Sequence, residues 1–240
     1  MENKILVIPD LHLKPWICRS AINIMQEMNL TIAVFLGDAF DDWEKENDIA
    51  LFNETYYYIM RFMEKFPKSL FCYGNHEAAY LWRKRENSRY STQSEMVVWS
   101  ALLELKKIMG RRVAFVHKIQ NTFFSHAPIV NSFIKKLGLD EGVSDDELIS
   151  KINDLGSEML WTDDSPILIR PNSEKFIPYS NKFQVTGHTP VREPVVIYNK
   201  VLMCDLFSTN TGGKPIGSQD FIIVDTMEQT WERKKGINDI

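Results

Sequence analysis

The sequence predicts an α/β domain built on a parallel or mixed sheet, and three observations carry that prediction. Short apolar, β-branched runs recur through the first half, segments of helical character separate them, and acidic, amide or histidine residues follow each run directly. Strands and helices in alternation imply a sheet covered on both faces, with ligands gathered at the carboxyl edges of its strands.

The runs KILVI, TIAVFL and SLFCY read as the first three buried strands. Helical segments fall between them at residues 17–28, 48–65 and 78–109, the last interrupted by the polar stretch 83–91. Downstream the texture changes. RVAFVHKI, NTFFSH, KFQVTGH, VVIYN, KVLMCD and FIIVD are strand candidates separated by short turns, with one helical insert near 145–155, and together they predict a second sheet region in the same domain. Residues 139–146 and 162–180 carry the proline and acidic signals of surface excursions that could cover a cleft. The expected organisation is one domain over residues 1–233 and a loose tail over 234–240.

Hydrophobic residues make up 44% of the 240, enough for a sizeable core. Lysine and arginine number 28 against 32 acidic residues, so a surface dominated by nucleic-acid phosphate contacts is not expected. The three cysteines Cys18, Cys72 and Cys204 are far apart and form no CxxC pair, which predicts reduced thiols and no disulfide framework. The opening MENKILVIPD has an apolar run too short for a signal segment, and no stretch approaches the ~20 apolar residues of a membrane span. A cytoplasmic location follows as an expectation. Sequence gives no expectation for oligomeric state.

The chemistry-bearing residues sit at the ends of the strands. IPDLH contributes Asp10 and His12, LGDAFD contributes Asp38 and Asp41, and YGNHE contributes Asn75, His76 and Glu77; later come SHAP with His126 and TGHTP with His188. Two side chains spaced by two residues at a strand end can point toward one place. Four of the five histidines fall in these segments, a concentration that scattered structural histidines do not produce. A mixed set of carboxylate, imidazole and amide oxygen suits manganese, iron or zinc better than calcium, and the absence of thiolates disfavours a structural zinc site.

Asp-x-His, Gly-Asp-x-x-Asp, Gly-Asn-His-Glu, a lone histidine after a strand, and Gly-His-Thr, in this order over residues 10 to 190, resemble the calcineurin-like metallophosphoesterase superfamily. The resemblance implies a metallophosphatase-type four-layer α/β/β/α sandwich with the metal site at the carboxyl edges of the strands. It also implies two divalent cations, manganese first with iron, zinc and magnesium as alternatives. Asp10 and His12 resemble ligands of a first metal, Asp38 a bridging carboxylate, and Asn75, His126 and His188 ligands of a second. By the same resemblance a metal-bridging hydroxide attacks a phosphate ester, and His76, oriented by Asp41, protonates the leaving group. Glu77 is expected to support the ligands rather than bind metal.

Two departures narrow the resemblance. Many members end in Gly-His-x-His, whereas here Gly187, His188, Thr189 and Pro190 leave the first metal one histidine short. This pattern resembles the phosphoprotein-phosphatase-like branch, including bacterial and phage phosphatases and symmetrical dinucleoside polyphosphatases, as do Met159, Leu160 and Trp161 and the strand ending at Cys204 to Leu206. That branch follows Gly-Asp-x-x-Asp with Arg-Gly, but Asp42 and Trp43 stand here. A substitute arginine to grip the phosphate is sought among Arg170, Arg83, Arg85 and Arg192, with Arg170 favoured.

Plainer readings hold elsewhere. His117 has no motif around it and reads as a half-buried strand residue. Phe52, Phe62 and Tyr56 to Tyr58 read as a packing face, and the run from Arg83 to Asn87 as a solvated face that attracts anions if it flanks the cleft. The expected function is a phosphomonoesterase or Ser/Thr-type protein phosphatase acting on a phosphorylated protein, nucleotide or small molecule. Dinucleoside polyphosphate hydrolysis, phosphodiesterase action and a non-catalytic binding scaffold are the alternatives.

Overall fold

The computed structural model describes residues 3–139, 142–179 and 182–236. The first three strands form as expected: β1 (Lys4–Ile8), β2 (Ala33–Phe35) and β3 (Leu70–Cys72) run parallel. Their crossovers are α1 (Pro15–Glu27) and α2 (Ile49–Lys65), the latter capped by the Asp48 side chain on Leu51 N at 2.9 Å. The long third helical segment is divided, into α3 (Asn75–Trp82) and α4 (Glu95–Met109). Alternate residues of β1 face opposite layers. Ile5 and Val7 pack between the two sheets, while Leu6 and Ile8 pack under the helices, as a strand buried on both faces requires.

RVAFVHKI is not one strand. It divides into β4 (Val113–Ala114), which pairs with β3, and β5 (Val116–Ile119), which opens the second sheet. Asn153 fixes the crossing: its Oδ1 accepts from Phe115 N at 3.0 Å and Val116 N at 2.9 Å, and its Nδ2 donates to Val116 O. Then come β6 (Thr122–Ser125), the helices α5 (Asn131–Lys136), α6 (Asp145–Asn153) and α7 (Ser157–Leu160), and the strands β7 (Phe183–Pro190), β8 (Val195–Ile197), β9 (Val201–Asp205), β10 (Asp220–Asp225) and β11 (Thr230–Lys235).

The first sheet has the order β11-β10-β1-β2-β3-β4 and the second β5-β6-β7-β9-β8. Phe124, Phe183, Val185 and Leu202 of the second meet Ile5, Val7, Val34 and Leu36 of the first, so the two sheets are packed face to face with helices outside. This is the expected layered α/β architecture.

Two expectations are corrected. The tail does not begin at residue 234, because β11 pairs with β10 along its length and Lys234 lies opposite Phe221; residues 237–240 lie outside the described residues. Segment 162–179 is not a surface excursion. Ile167, Ile169 and Phe176 are buried in the helical-side core, and Pro166 O accepts from Ala127 N at 2.8 Å. Residue 180, and residues 140 and 141 of the other expected loop, lie outside the described residues.

Cys18, Cys72 and Cys204 are free and buried, and among the described residues no helix is long and apolar enough to cross a membrane. Phe52 and Phe62 are buried and Tyr56 rings with Phe40 and Phe52, whereas Tyr57 is exposed, so only part of the aromatic run is a packing face.

His117 is buried in β5, with Nε2 donating to Phe71 O at 3.1 Å, and burial pushes it down to about 4. Between pH 6.5 and 4 the unfolded chain therefore binds a proton that the folded chain refuses, and stability falls as pH drops through that window. Urea unfolding of His117→Gln should show a smaller loss than the wild type across it, by up to roughly 3 kcal/mol. Equal losses would mean that the imidazole is not held neutral.

Candidate metal centre

The carboxyl edges of both sheets converge on one place. Asp10 and His12 follow β1, Asp38 and Asp41 follow β2, Asn75 and His76 open α3 after β3, His126 follows β6, and His188 lies within β7. All eight side chains are buried. The backbone is bent to bring them there: His12, Asp38 and His188 have φ of 43°, 51° and 63°, left-handed values that cost non-glycine residues free energy and cluster at functional sites. At His188 the β7–β9 register shifts between Thr186 and Pro190, a bulge that turns the ring inward.

Two glycines make room for carboxylates. A Cβ on Gly74 would collide with Asp38 Oδ1, and one on Gly187 with Asp10 Oδ1. In place of side chains the carboxylates receive backbone donors: His76 N to Asp38 Oδ1 at 3.0 Å, and His188 N to both Asp10 oxygens at 3.1 and 3.2 Å. Glu77 ties the β2 and β3 loops together, its carboxylate accepting from Asp38 N and Ala39 N at 2.7 Å and from Gly74 N at 2.8 Å. Its expected supporting position is what the structure shows. Burial and the Asp38 charge push Glu77 up to about 7.

Three of these histidines have one ring nitrogen fixed as a donor by a carbonyl, which can only accept. His12 Nδ1 donates to Asp41 O at 2.9 Å, His126 Nδ1 to Leu36 O at 2.7 Å, and His188 Nε2 to Leu168 O at 3.1 Å. When the rings are neutral, the opposite nitrogen of each turns its lone pair inward. His126 Nε2 stands 3.0 Å from His188 Nδ1, 3.0 Å from Asn75 Oδ1 and 3.2 Å from Asp38 Oδ2, so four potential donors surround one point. Asp38, His126 and His188 form one group whose ligand atoms all lie within 4.8 Å of one another, and Asp10, His12 and Asp38 form another. The donor chemistry of each group fits a divalent cation.

Electrostatics agree with that fit. Burial and the neighbouring Asp205 charge raise Asp10 well above the usual carboxylate range. Burial also disfavours the Asp38 carboxylate, but His126 and His76 overcome it and hold Asp38 well below that range. His126 is pushed up to about 9 by Asp38 and Asp10 against its own burial, so a cation entering there displaces a proton. Burial and the Arg89 charge lower His12; burial and His126 lower His188 well below the imidazole range. His76 Nδ1 lies 2.8 Å from the Asp41 carboxylate. Although burial opposes it, Asp38 and Asp41 raise His76, favouring the protonated ring.

A sequence profile of the calcineurin-like phosphoesterases matches residues 3–204. The chain belongs to that family. A calcineurin-like phosphoesterase is metal-dependent and acts on a phosphorylated substrate, and the two ligand groups above are where this one would hold its metal. No curated protein matches it in sequence. Among solved structures it is similar to an archaeal phosphodiesterase at 14% identity, covering 96% of this chain and 98% of that one with a TM-score of 0.38. It is also similar to the E. coli phosphoesterase Yfce, at 12% identity, 98% and 100% coverage and a TM-score of 0.42. A Sphaerobacter thermophilus metallophosphoesterase is similar at 12% identity, 98% and 89% coverage and a TM-score of 0.41.

Of the arginines considered from sequence, Arg83 and Arg85 pair with Glu95 and Arg192 is exposed. Arg170 reaches the site's rim, with Nη1 3.1 Å from His188 O and 3.5 Å from Thr189 Oγ1. Sequence reasoning missed Arg89, whose guanidinium lies against His12 and His76 inside the pocket. It also gave no role to Asp205, which is buried at the end of β9 opposite Pro190, with Oδ2 lacking a hydrogen-bond partner. Asp205 acts on the charge state of Asp10, and burial raises it.

The Glu77 strap is testable. A glutamine amide turned either way presents an NH2 to at least one of the three buried N–H groups, so Glu77→Gln should lose about 2–3 kcal/mol in urea unfolding. A loss under half a kcal/mol would mean the strap holds nothing.

Proposed function

We propose that the chain hydrolyses phosphate monoesters with two divalent cations, manganese first among them, as in the phosphoprotein-phosphatase-like branch of the family. The observation that carries this reading is the Asp38 carboxylate between two converging ligand groups whose histidines have their lone pairs turned inward by Leu36, Leu168 and Asp41 carbonyls. Asp10, His12 and Asp38 hold one cation, and Asp38, Asn75, His126 and His188 the other. Bound there, the pair supplies an activated water and neutralises charge on the phosphoryl oxygens.

The rest is done by the chain's own groups. His76, its Nδ1 bound to Asp41, keeps a proton on Nε2 for the leaving oxygen, and the charges of Asp38 and Asp41 favour that protonated form. Asp41 fixes the ring's direction. Arg170, fastened to the His188 carbonyl and the Thr189 hydroxyl at the rim, meets the substrate from outside. A decayed site kept only as a binding scaffold is disfavoured, because every proposed ligand and the proton donor are present and buried together.

With manganese supplied, the protein should hydrolyse an aryl phosphate. His76→Asn should lower kcat by roughly 10²–10⁴-fold while bound manganese stays at the wild-type level, and the loss should be larger for an alkyl phosphate, whose leaving group needs the proton more. Identical losses for both leaving groups would remove His76 from the proton-donor role. No turnover with any divalent ion, despite bound metal, would favour the scaffold.

A further inference from the structure

Segment 83–94, between α3 and α4, is pinned on both sides. Tyr90 stacks on Tyr80 at 4.5 Å, Ser91 N donates to the Tyr80 hydroxyl at 3.0 Å, and Ser94 Oγ donates to Glu46 O at 2.6 Å. Just before these anchors Arg89, at φ 65°, sends its side chain back over the site, where it is 13% exposed. The guanidinium stacks 4.8 Å from the Trp43 ring, with Asp42 3.9 Å away. Nη1 lies 3.1 Å from His12 Nδ1 and 3.2 Å from its Nε2, and Nη2 lies 3.1 Å from His76 Nε2, while Nε is buried with no hydrogen-bond partner.

These contacts do not satisfy a cation in the working site. The His12 Nε2 lone pair is the one turned toward the metal pocket, and a His76 ring that donates its Nε2 proton has no lone pair to offer. Arg89 would then face positive charge, with the nearby Asp41 carboxylate already bound to His76 Nδ1 and Asp42 shared with Lys14 Nζ at 3.0 Å. A largely buried guanidinium whose Nε has no partner calls for an anion at that spot, and a phosphoryl oxygen can accept from its N–H groups. The positions after Asp41 supply no arginine themselves but hold one, with Asp42 as counter-charge and Trp43 as platform.

We propose that Arg89, held by Trp43 and Asp42, grips the phosphoryl oxygens of the substrate and selects monoesters over diesters. A monoester has three non-bridging oxygens, so one remains for the guanidinium when two face the cations; a diester has only two. This inference rests on the phosphoesterase reading, and the test separates them by measuring anion binding apart from turnover.

Inorganic phosphate should be titrated calorimetrically into the manganese-loaded full chain, alongside kinetics on an aryl monoester and an aryl diester. Arg89→Ala should weaken phosphate binding at least tenfold and raise KM for the monoester, with bound manganese unchanged, and its ratio of monoester to diester kcat/KM should fall. Arg89→Lys should recover part of the affinity, and Trp43→Ala should weaken it several-fold. If the wild type binds phosphate and both Arg89 variants bind it equally well, the Arg89 assignment is wrong and the phosphoesterase reading stands. If the loaded wild type neither binds phosphate nor turns over an ester, both fail. Loss of phosphate binding in Arg89→Ala supports the assignment even where turnover is too slow to measure.

Discussion

Asp10, Asp38 and Asp205 are buried within reach of one another's charge, and the site is organised around that constraint. Carboxylates taken out of water need hydrogen bonds or counter-charges, and an uncompensated one costs several kcal/mol. Here the compensation is partial. Backbone N–H groups of His76 and His188 reach Asp38 and Asp10, and four imidazoles stand around them, yet burial still raises Asp10 and Asp205, and the charges of Asp38 and Asp10 draw a proton onto His126 against its own burial. A pocket so arranged favours cations, and the strained φ values of His12, Asp38 and His188 are local costs of bringing the donors together.

Neither sheet makes the site alone. The first brings Asp10, His12, Asp38 and Asn75 from successive parallel strand ends, and the second brings His126 and His188. The crossing of the chain at Phe115, pinned by Asn153, sets the two sheets against each other, and the apolar layer from Ile5 to Val224 fixes their spacing. Segment 162–179 then packs over the second sheet and delivers the Leu168 carbonyl to His188. Packing far from the chemistry thus determines which nitrogen of a ring in the site is tied to a carbonyl.

The candidate ligand residues stood out because each lies at the end of an apolar strand run and several adjoin a glycine, and the structure brings all six together. The family was legible for the same reason. What sequence did not reveal depends on backbone or on distant packing. The carbonyls of Leu36, Leu168 and Asp41 leave no residue signature, and β11 hides in a charged edge sequence whose Trp231 alone marks a packed face. Arg89 lies just past a run that reads as solvated, and only the stacking of Tyr90 on Tyr80 shows that this stretch folds back over the site. Segment 162–179 looked like a surface loop because its prolines and acids outweigh Ile167 and Ile169 in a local reading.

The proposed shared two-cation site with unequal halves is tested most directly by manganese titration of the metal-stripped protein, followed by calorimetry. Two manganese ions per chain with distinguishable affinities are predicted, the weaker of them abolished in Asp10→Asn while the tighter remains. One ion per chain, none, or equal loss of both in that variant would contradict the account.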